Sequence, residues 1–137
     1  MKPLYDTLIQ LHADLQANIP ALLYANDLAD LSVYKIGGSR NAKETGLFVY
    51  QDEIGISYDR ESISIILQLQ LYNVDGITAA QYTDVVSEYI RDYDTQNIGM
   101  DLLDEIKIDS WPIDQNATTF VYINCSWSAS LDSCDNL

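Results

Sequence analysis

The chain is poor in the residues from which catalytic and nucleic-acid-binding sites are most often built. It has one histidine, two cysteines and seven basic residues among 137. A single histidine without a partner motif argues against a Ser-His-Asp or Cys-His apparatus. The seven cations face 21 acidic residues, and the net charge is −14. That balance argues against a broad phosphate-binding surface, because each phosphate contact needs a cation.

Long apolar runs are also missing from the sequence. No stretch approaches the ~18 apolar residues of a membrane span, so we expect no membrane contact. The first residues form a polar-interrupted helical pattern and not the continuous apolar core of a signal peptide. Cys125 and Cys134 are the only cysteines, and without an export signal we expect both thiols to be free.

The stretch SISIILQLQLY, residues 62–72, is the clearest structural signal. Its isoleucine and leucine residues occupy alternate positions, and serine, glutamine and tyrosine occupy most of the others. This period of two predicts a long strand with one buried face, in the middle of a sheet. Its polar face is left for water or for another subunit.

Two helices are predicted, one on each side of this strand in sequence. The first carries an apolar stripe of Leu4, Leu8, Leu11, Leu15 and Leu22. Pro20 predicts that this helix ends or kinks near Asn18, because proline is poorly tolerated inside a helix. The second helix is predicted to begin with a capping box from Thr78 to Gln81 and to end near Tyr93. Its apolar stripe, which is predicted to lie on the sheet, consists of Ala79, Tyr82, Val86, Tyr89 and Tyr93.

The remaining strands complete the order α-β-β-β-α-β-β, which is that of an α+β domain. The length of 137 residues predicts a single domain. We expect a mainly antiparallel sheet with both helices on one face. The strand at 47–58 is expected to bend at Asp52–Glu53 or at Gly55. The other predicted strands are 31–36, 62–73, 102–111 and 118–131, and a polar tail follows at 131–137.

No catalytic residue, metal or cofactor is predicted. His12 lies off the leucine stripe and is expected on the surface, and Cys125 is expected to be a small core residue. The stretch that begins at Asp92 resembles a calcium loop but lacks the required glycine and the final glutamate. Residues 37–40, Gly-Gly-Ser-Arg, lack the spacing of a phosphate-binding loop and a following helix.

The distribution of charge is the strongest hint of an interaction. Lys35, Arg40 and Lys43 are three of the seven basic residues and lie within nine positions, whereas nine acidic residues and one lysine lie from Asp92 to the end. This asymmetry indicates a head-to-tail contact between copies. The alternative is a solvated loop beside a solvated acidic face. The loop 37–46 has three glycines and is expected to be mobile, and Trp111 is a further interface candidate.

The chain resembles the tail terminator, or tail-completion, proteins of long-tailed bacteriophages. The resemblance covers most of the chain: the leucine-striped helix, the glycine-bearing loop, the long strand running into ITAAQYTDVVSEYIRDY, and the closing strands that end in LDSCD. It implies a virion protein, assembled in the host cytoplasm, that forms a ring, usually a hexamer. The ring caps the tail tube, contacts head-neck proteins and lets DNA pass without binding it. Its acidic lumen would use Asp101, Asp104 and Glu105.

The sequence also resembles the specificity chaperones of type III secretion, which are small acidic α+β proteins that dimerise around an unfolded effector segment. Their order continues with a final helix after the last strand. The stretch SLDSCDNL that follows the last strand here is too short for that helix and has no apolar stripe. The chaperone is therefore the second hypothesis and the tail terminator the first.

Overall fold

The structure is a computed structural model that describes residues 4–39, 41, 43–58, 60–93, 105–108 and 118–130. Its elements follow the predicted order, and the α+β class is confirmed. They are α1 (Leu4–Ala25), β1 (Val33–Ile36), β2 (Gly46–Ile56), β3 (Arg60–Tyr72), α2 (Gly76–Asp92), β4 (Glu105–Ile108) and β5 (Thr118–Ser130).

The five strands form one sheet in the order β1-β2-β3-β5-β4. β1 runs parallel to β2, and the other three neighbouring pairs are antiparallel. The long strand β3 is central, and it pairs with β5 along its whole length, from Arg60 opposite Ser130 to Tyr72 opposite Thr118. The two short strands β1 and β4 are therefore the opposite edges of the sheet.

The alternation in β3 separates the two faces of the sheet as the sequence predicts. Ile63, Ile65, Leu67, Leu69 and Leu71 are at most 1 % exposed and pack against the helices on what we call the helix face. Their burial contributes roughly 7–15 kcal/mol before the cost of ordering the chain, at ~1.5–3 kcal/mol for each side chain. The opposite side, the open face, carries the serine and glutamine residues of the same strand.

Helix α1 continues through Pro20, so of the two predicted alternatives the end near Asn18 is wrong, and the kink stays a prediction. Proline removes the hydrogen bond to the carbonyl of Gln16, and because Gln16 is exposed, water can satisfy that carbonyl. Packing holds the last part of the helix in place: Ile19 and Leu23 are both fully buried against the sheet.

The apolar stripe of α1 also differs from the prediction at its end. Leu8, Leu11 and Leu15 are buried as expected, but the stripe continues through Ile19 and Leu23. Leu22 lies to one side of it and is 36 % exposed. The predicted stripe continues from Leu15 directly to Leu22 and leaves out Ile19, which lies on the turn between them.

Helix α2 begins one turn earlier than its predicted capping box. The carboxylate of Asp75 accepts a hydrogen bond from the backbone N–H of Thr78 at 2.7 Å, so Asp75 is the N-cap and Thr78 lies inside the helix. This bond lowers the pKa of Asp75. The other end is as predicted, because the helix stops at Asp92 and Tyr93 is its C-cap.

Strand β2 bends where the sequence indicates a bend. Its pairing with β3 shifts register between Gln51 and Glu53, which leaves Asp52 as the extra residue of a bulge. Beyond the bulge the side chains of β2 are mostly exposed. Among the helices that the structure describes, none is long and apolar enough to cross a membrane.

Candidate assembly surfaces

Two of the predicted self-assembly residues lie together near the β1 edge. Lys35 is exposed on β1 opposite Phe48, which places it on the open face, and Lys43 is exposed in the connection from β1 to β2. We call these two residues the basic patch. Neither forms an ion pair within the described part of the chain. Arg40 and Trp111 lie outside the described residues.

The connection from β1 to β2 is held on the open face by Gln70, a side chain that is only 1 % exposed. Its amide group donates hydrogen bonds to the carbonyls of Asn41, at 2.7 Å, and Glu44, at 2.9 Å. A buried amide needs partners, because leaving it unsatisfied costs free energy comparable to a lost hydrogen bond. The mobility predicted for the loop stays a prediction, but the structure supplies polar anchors that the sequence did not suggest.

Asn41 accepts several hydrogen bonds from other residues of this connection. Its carbonyl also accepts hydrogen bonds from the Ser39 hydroxyl, at 3.0 Å, and from the backbone N–H of Glu44, at 3.1 Å. Its side-chain oxygen accepts from the backbone N–H of Lys43 at 3.0 Å. The backbone that carries Lys43 is therefore fixed by short hydrogen bonds, which favours a defined position for this lysine.

The acidic lumen candidates fall mostly outside the described residues. Asp101 and Asp104 are in that group. Glu105 is described and is exposed on β4, opposite Asn124 of β5. It therefore lies at the edge of the sheet farthest from Lys35, so the structure does not bring the basic patch and this acid together within one copy.

The end of the β2–β3 hairpin carries an exposed apolar ridge. Ile54, Ile56 and Tyr58 are 40 %, 73 % and 100 % exposed. Large apolar side chains clustered at a strand end are typical of protein–protein contacts. Sequence reasoning missed this ridge, although the alternation of IGISY after the bend is a signal for it.

The rest of the open face is partly apolar and aromatic. Tyr50, Ile66 and Tyr122 are half-buried there, on the face opposite the two described helices. Burial, followed by the nearby Tyr122 and Asp52, raises the pKa of Tyr50. Tyr50 and Tyr122 thus lie near each other on the open face.

A polar cluster joins the two helices. The hydroxyl of Tyr93 donates to Oδ2 of Asp14 at 2.6 Å, and the side-chain amide of Asn18 donates to the Tyr89 hydroxyl at 3.2 Å. Burial and the bond to Asp14 together raise the pKa of Tyr93. The predicted sheet-facing stripe of α2 therefore turns toward α1 at Tyr89 and Tyr93, and only its earlier residues lie on the sheet.

Beside this cluster, a groove of about 230 Å³ lies between α1 and α2. Leu22, Val85 and Tyr89 form the apolar part of its lining. Glu88 and Asp92 add two carboxylates. The volume is enough for several waters at ~30 Å³ each or for one long side chain.

Within the described ranges, the grouping and burial of the residue types that most often form catalytic or metal sites bear on whether such a site is present. No group of three or more His, Cys, Asp or Glu residues there is placed to hold a metal ion. Cys125 is fully buried, which confirms it as a core residue. The expectation of a surface His12 is wrong: it borders the buried stripe of α1, is half-buried, and its Nε2 finds no partner among the described residues.

Comparison with known proteins gives no assignment. No protein-family model matches the chain, and no match is found among curated proteins.

Proposed function

We propose that this protein is a structural subunit that assembles head to tail into a ring of the tail-terminator type. The observation that carries the proposal is the placement of charge: Lys35 and Lys43 are exposed on the open-face side of one sheet edge, and exposed carboxylates occupy the helix layer and the other edge. A contact between two different surfaces is heterologous, and a heterologous contact closes into a ring when its rotation allows.

The architecture supports this proposal in a second way. The sheet ends in two short edge strands, β1 and β4, on opposite sides of the domain. The described helices pack on one face of the sheet, and the basic patch and the half-buried tyrosines lie on the side of the open face. A subunit whose two faces differ in this way can meet one neighbour through each face, as every member of a ring must.

In the proposed assembly the ring lies at the end of a phage tail tube, in the virion, and contacts the tube protein and the head-neck proteins. The exposed ridge of Ile54, Ile56 and Tyr58 is suited to one of these protein contacts. The number of subunits follows the resemblance, which implies a hexamer.

DNA would pass through such a ring without binding to it. The net charge of −14 repels phosphate, and a carboxylate such as Glu105 on the lumen wall would keep DNA from sticking. No shift of duplex DNA in a gel is expected at physiological salt. A shift that persists at that salt concentration would contradict the acidic-lumen part of the proposal.

The second candidate is a dimeric secretion chaperone, and the half-buried aromatic open face favours it. Two copies packed through Tyr50, Ile66 and Tyr122 would form an isologous dimer. This arrangement predicts a dimer that does not dissociate on dilution and that binds an unfolded segment of another protein.

Gene neighbourhood and tube capping together test the function. Tail-tube and capsid genes beside this gene support the terminator, and an effector gene supports the chaperone. Adding the protein to a polymerising tube protein from the same neighbourhood should produce shorter tubes with one capped end in negative-stain images. Tubes of unchanged length with bare ends would contradict the proposed role.

A further inference from the structure

The groove between α1 and α2 has the lining expected of a receptor for a long basic side chain. Its apolar residues Leu22, Val85 and Tyr89 can cover an aliphatic stem, and a tyrosine ring attracts a cation placed over its face. The carboxylates of Glu88 and Asp92 are the charges that would bind the end of that chain.

The acidic side of this groove is unfavourable for the isolated helix. Asp84, Glu88 and Asp92 follow at intervals of four on α2, and all three are exposed. Like charges at this spacing repel, and Asp92 also lies at the helix C-terminus, where the helix dipole disfavours an anion. Within the described part of the chain none of the three forms an ion pair. A cation from outside would relieve this repulsion.

The basic patch is the complementary surface. Lys35 and Lys43 are exposed and unpaired in the described ranges, and the hydrogen bonds of Gln70 and Asn41 fix the backbone near Lys43. Because β1 carries Lys35 on the open face, the patch and the groove lie on opposite sides of the sheet. One copy cannot bring its own lysines to its own groove.

We propose that the groove of one copy binds Lys43 from the basic patch of the next copy. The stem of the lysine packs on Leu22 and Tyr89, and its ammonium group lies between Glu88 and Asp92. This inference rests on the proposed ring function, since it assigns the two surfaces that meet at each joint. The contact is heterologous and is repeated by every subunit.

Charge reversal in matched pairs tests the joint. Lys43→Glu and Glu88→Lys should each raise the concentration needed for half-assembly by at least about tenfold, because a like-charge contact costs more than one decade of affinity. The double variant, with both changes in one chain, should recover most of the wild-type assembly. Sedimentation velocity measures the oligomer, and the melting temperature of the monomer shows that each variant folds.

Two control variants carry the same charge changes elsewhere. Lys107→Glu alters an exposed lysine on β4, and Glu53→Lys alters an exposed acid beside the β2 bulge. Both should assemble like the wild type. An equal loss of assembly in these controls would show that only net charge matters and would overturn the specific joint.

The outcomes separate this inference from the function on which it rests. If the wild type forms rings and Lys43→Glu or Glu88→Lys forms them equally well, the groove contact is wrong and the ring stands. If the single variants fail and the double variant is not restored, the pairing of these two residues is also wrong. If the wild type stays monomeric even at high concentration, both the joint and the ring are overturned.

Discussion

Tyr93 donates a hydrogen bond of 2.6 Å to the carboxylate of Asp14, and this bond joins the end of α2 to the middle of α1. The two residues are 79 positions apart in sequence. The contact sets the spacing of the helices at the end of the groove, since Tyr89, one turn earlier on α2, lines that groove. A change in the spacing of the two helices would therefore also change the shape of the groove.

Removing the Tyr93 hydroxyl is predicted to destabilise the fold modestly. Tyr93→Phe should lower the free energy of unfolding by about 1 kcal/mol, the value of a typical protein hydrogen bond, because the partly exposed carboxylate regains water. Urea denaturation measures the change. Tyr24→Phe is the matched control, since Tyr24 is 85 % exposed and should show no effect.

The same variant has a defined pH dependence. Burial and the hydrogen bond to Asp14 raise the pKa of Tyr93 in the folded state above its ordinary value of 10.0. Its contribution to stability is therefore fully present below pH 10 and is lost as the pH rises beyond that value, because the unfolded chain ionises first. The difference between wild type and Tyr93→Phe should be constant up to about pH 9 and shrink above pH 10. A difference that grows with pH would contradict this.

The helix cap of α2 gives a second pH-dependent prediction. The backbone N–H of Thr78 lowers the pKa of Asp75, so the cap stabilises the fold above the ordinary carboxylate pKa of 3.8 and is lost as the pH falls further. Asp75→Ala should lower the melting temperature by a few degrees at neutral pH. Asp75→Asn keeps a capping oxygen and should melt near the wild type, without the acid-dependent loss.

The loop anchor predicts a local effect. Gln70→Leu removes both hydrogen bonds to the loop and should destabilise the fold by about 1–2 kcal/mol. It should also speed amide hydrogen exchange at Lys43 and Glu44 well before global unfolding. Gln68→Leu is the control, because Gln68 is half-buried on the same face and, among the described residues, donates only to Oε1 of Gln70, at 3.5 Å, so its loss leaves both bonds from Nε2 of Gln70 to the loop in place. Equal exchange rates in the two variants would show that Gln70 does not hold the loop.

The spacing of apolar residues predicted most of the fold, because it shows which face of an element is buried. Apolar residues recur at every second position in the strands and at spacings of three and four in the helices. The alternation of β3, the bend near Asp52 and the end of α2 all follow from local sequence. The predicted end of α1 near Asn18 is wrong because the packing of Ile19 and Leu23 overrides a local helix-breaking signal. With those two residues on the buried stripe, Leu22 falls to one side of it. The cap was misplaced because Asp75 and Thr78 are both good capping residues and only the backbone geometry selects between them.

The candidate surfaces were predicted less completely than the fold. Charge counting found Lys35 and Lys43, since a cluster of cations in an acidic chain is visible in one dimension. The groove was not found, because Leu22 and Tyr89 are 67 positions apart in sequence and come together only when the two helices pack against each other. The role of Gln70 was not found for the same reason, because its hydrogen-bond partners, Asn41 and Glu44, lie in the connection from β1 to β2.

Native mass spectrometry of the purified chain, from dilute to concentrated solution, tests the central claim most directly. The head-to-tail account predicts one closed species of more than two copies, with a hexamer expected, in equilibrium with monomer and without a dominant dimer. A tight dimer whose population does not change on dilution would contradict the ring and favour two chains joined through the open face.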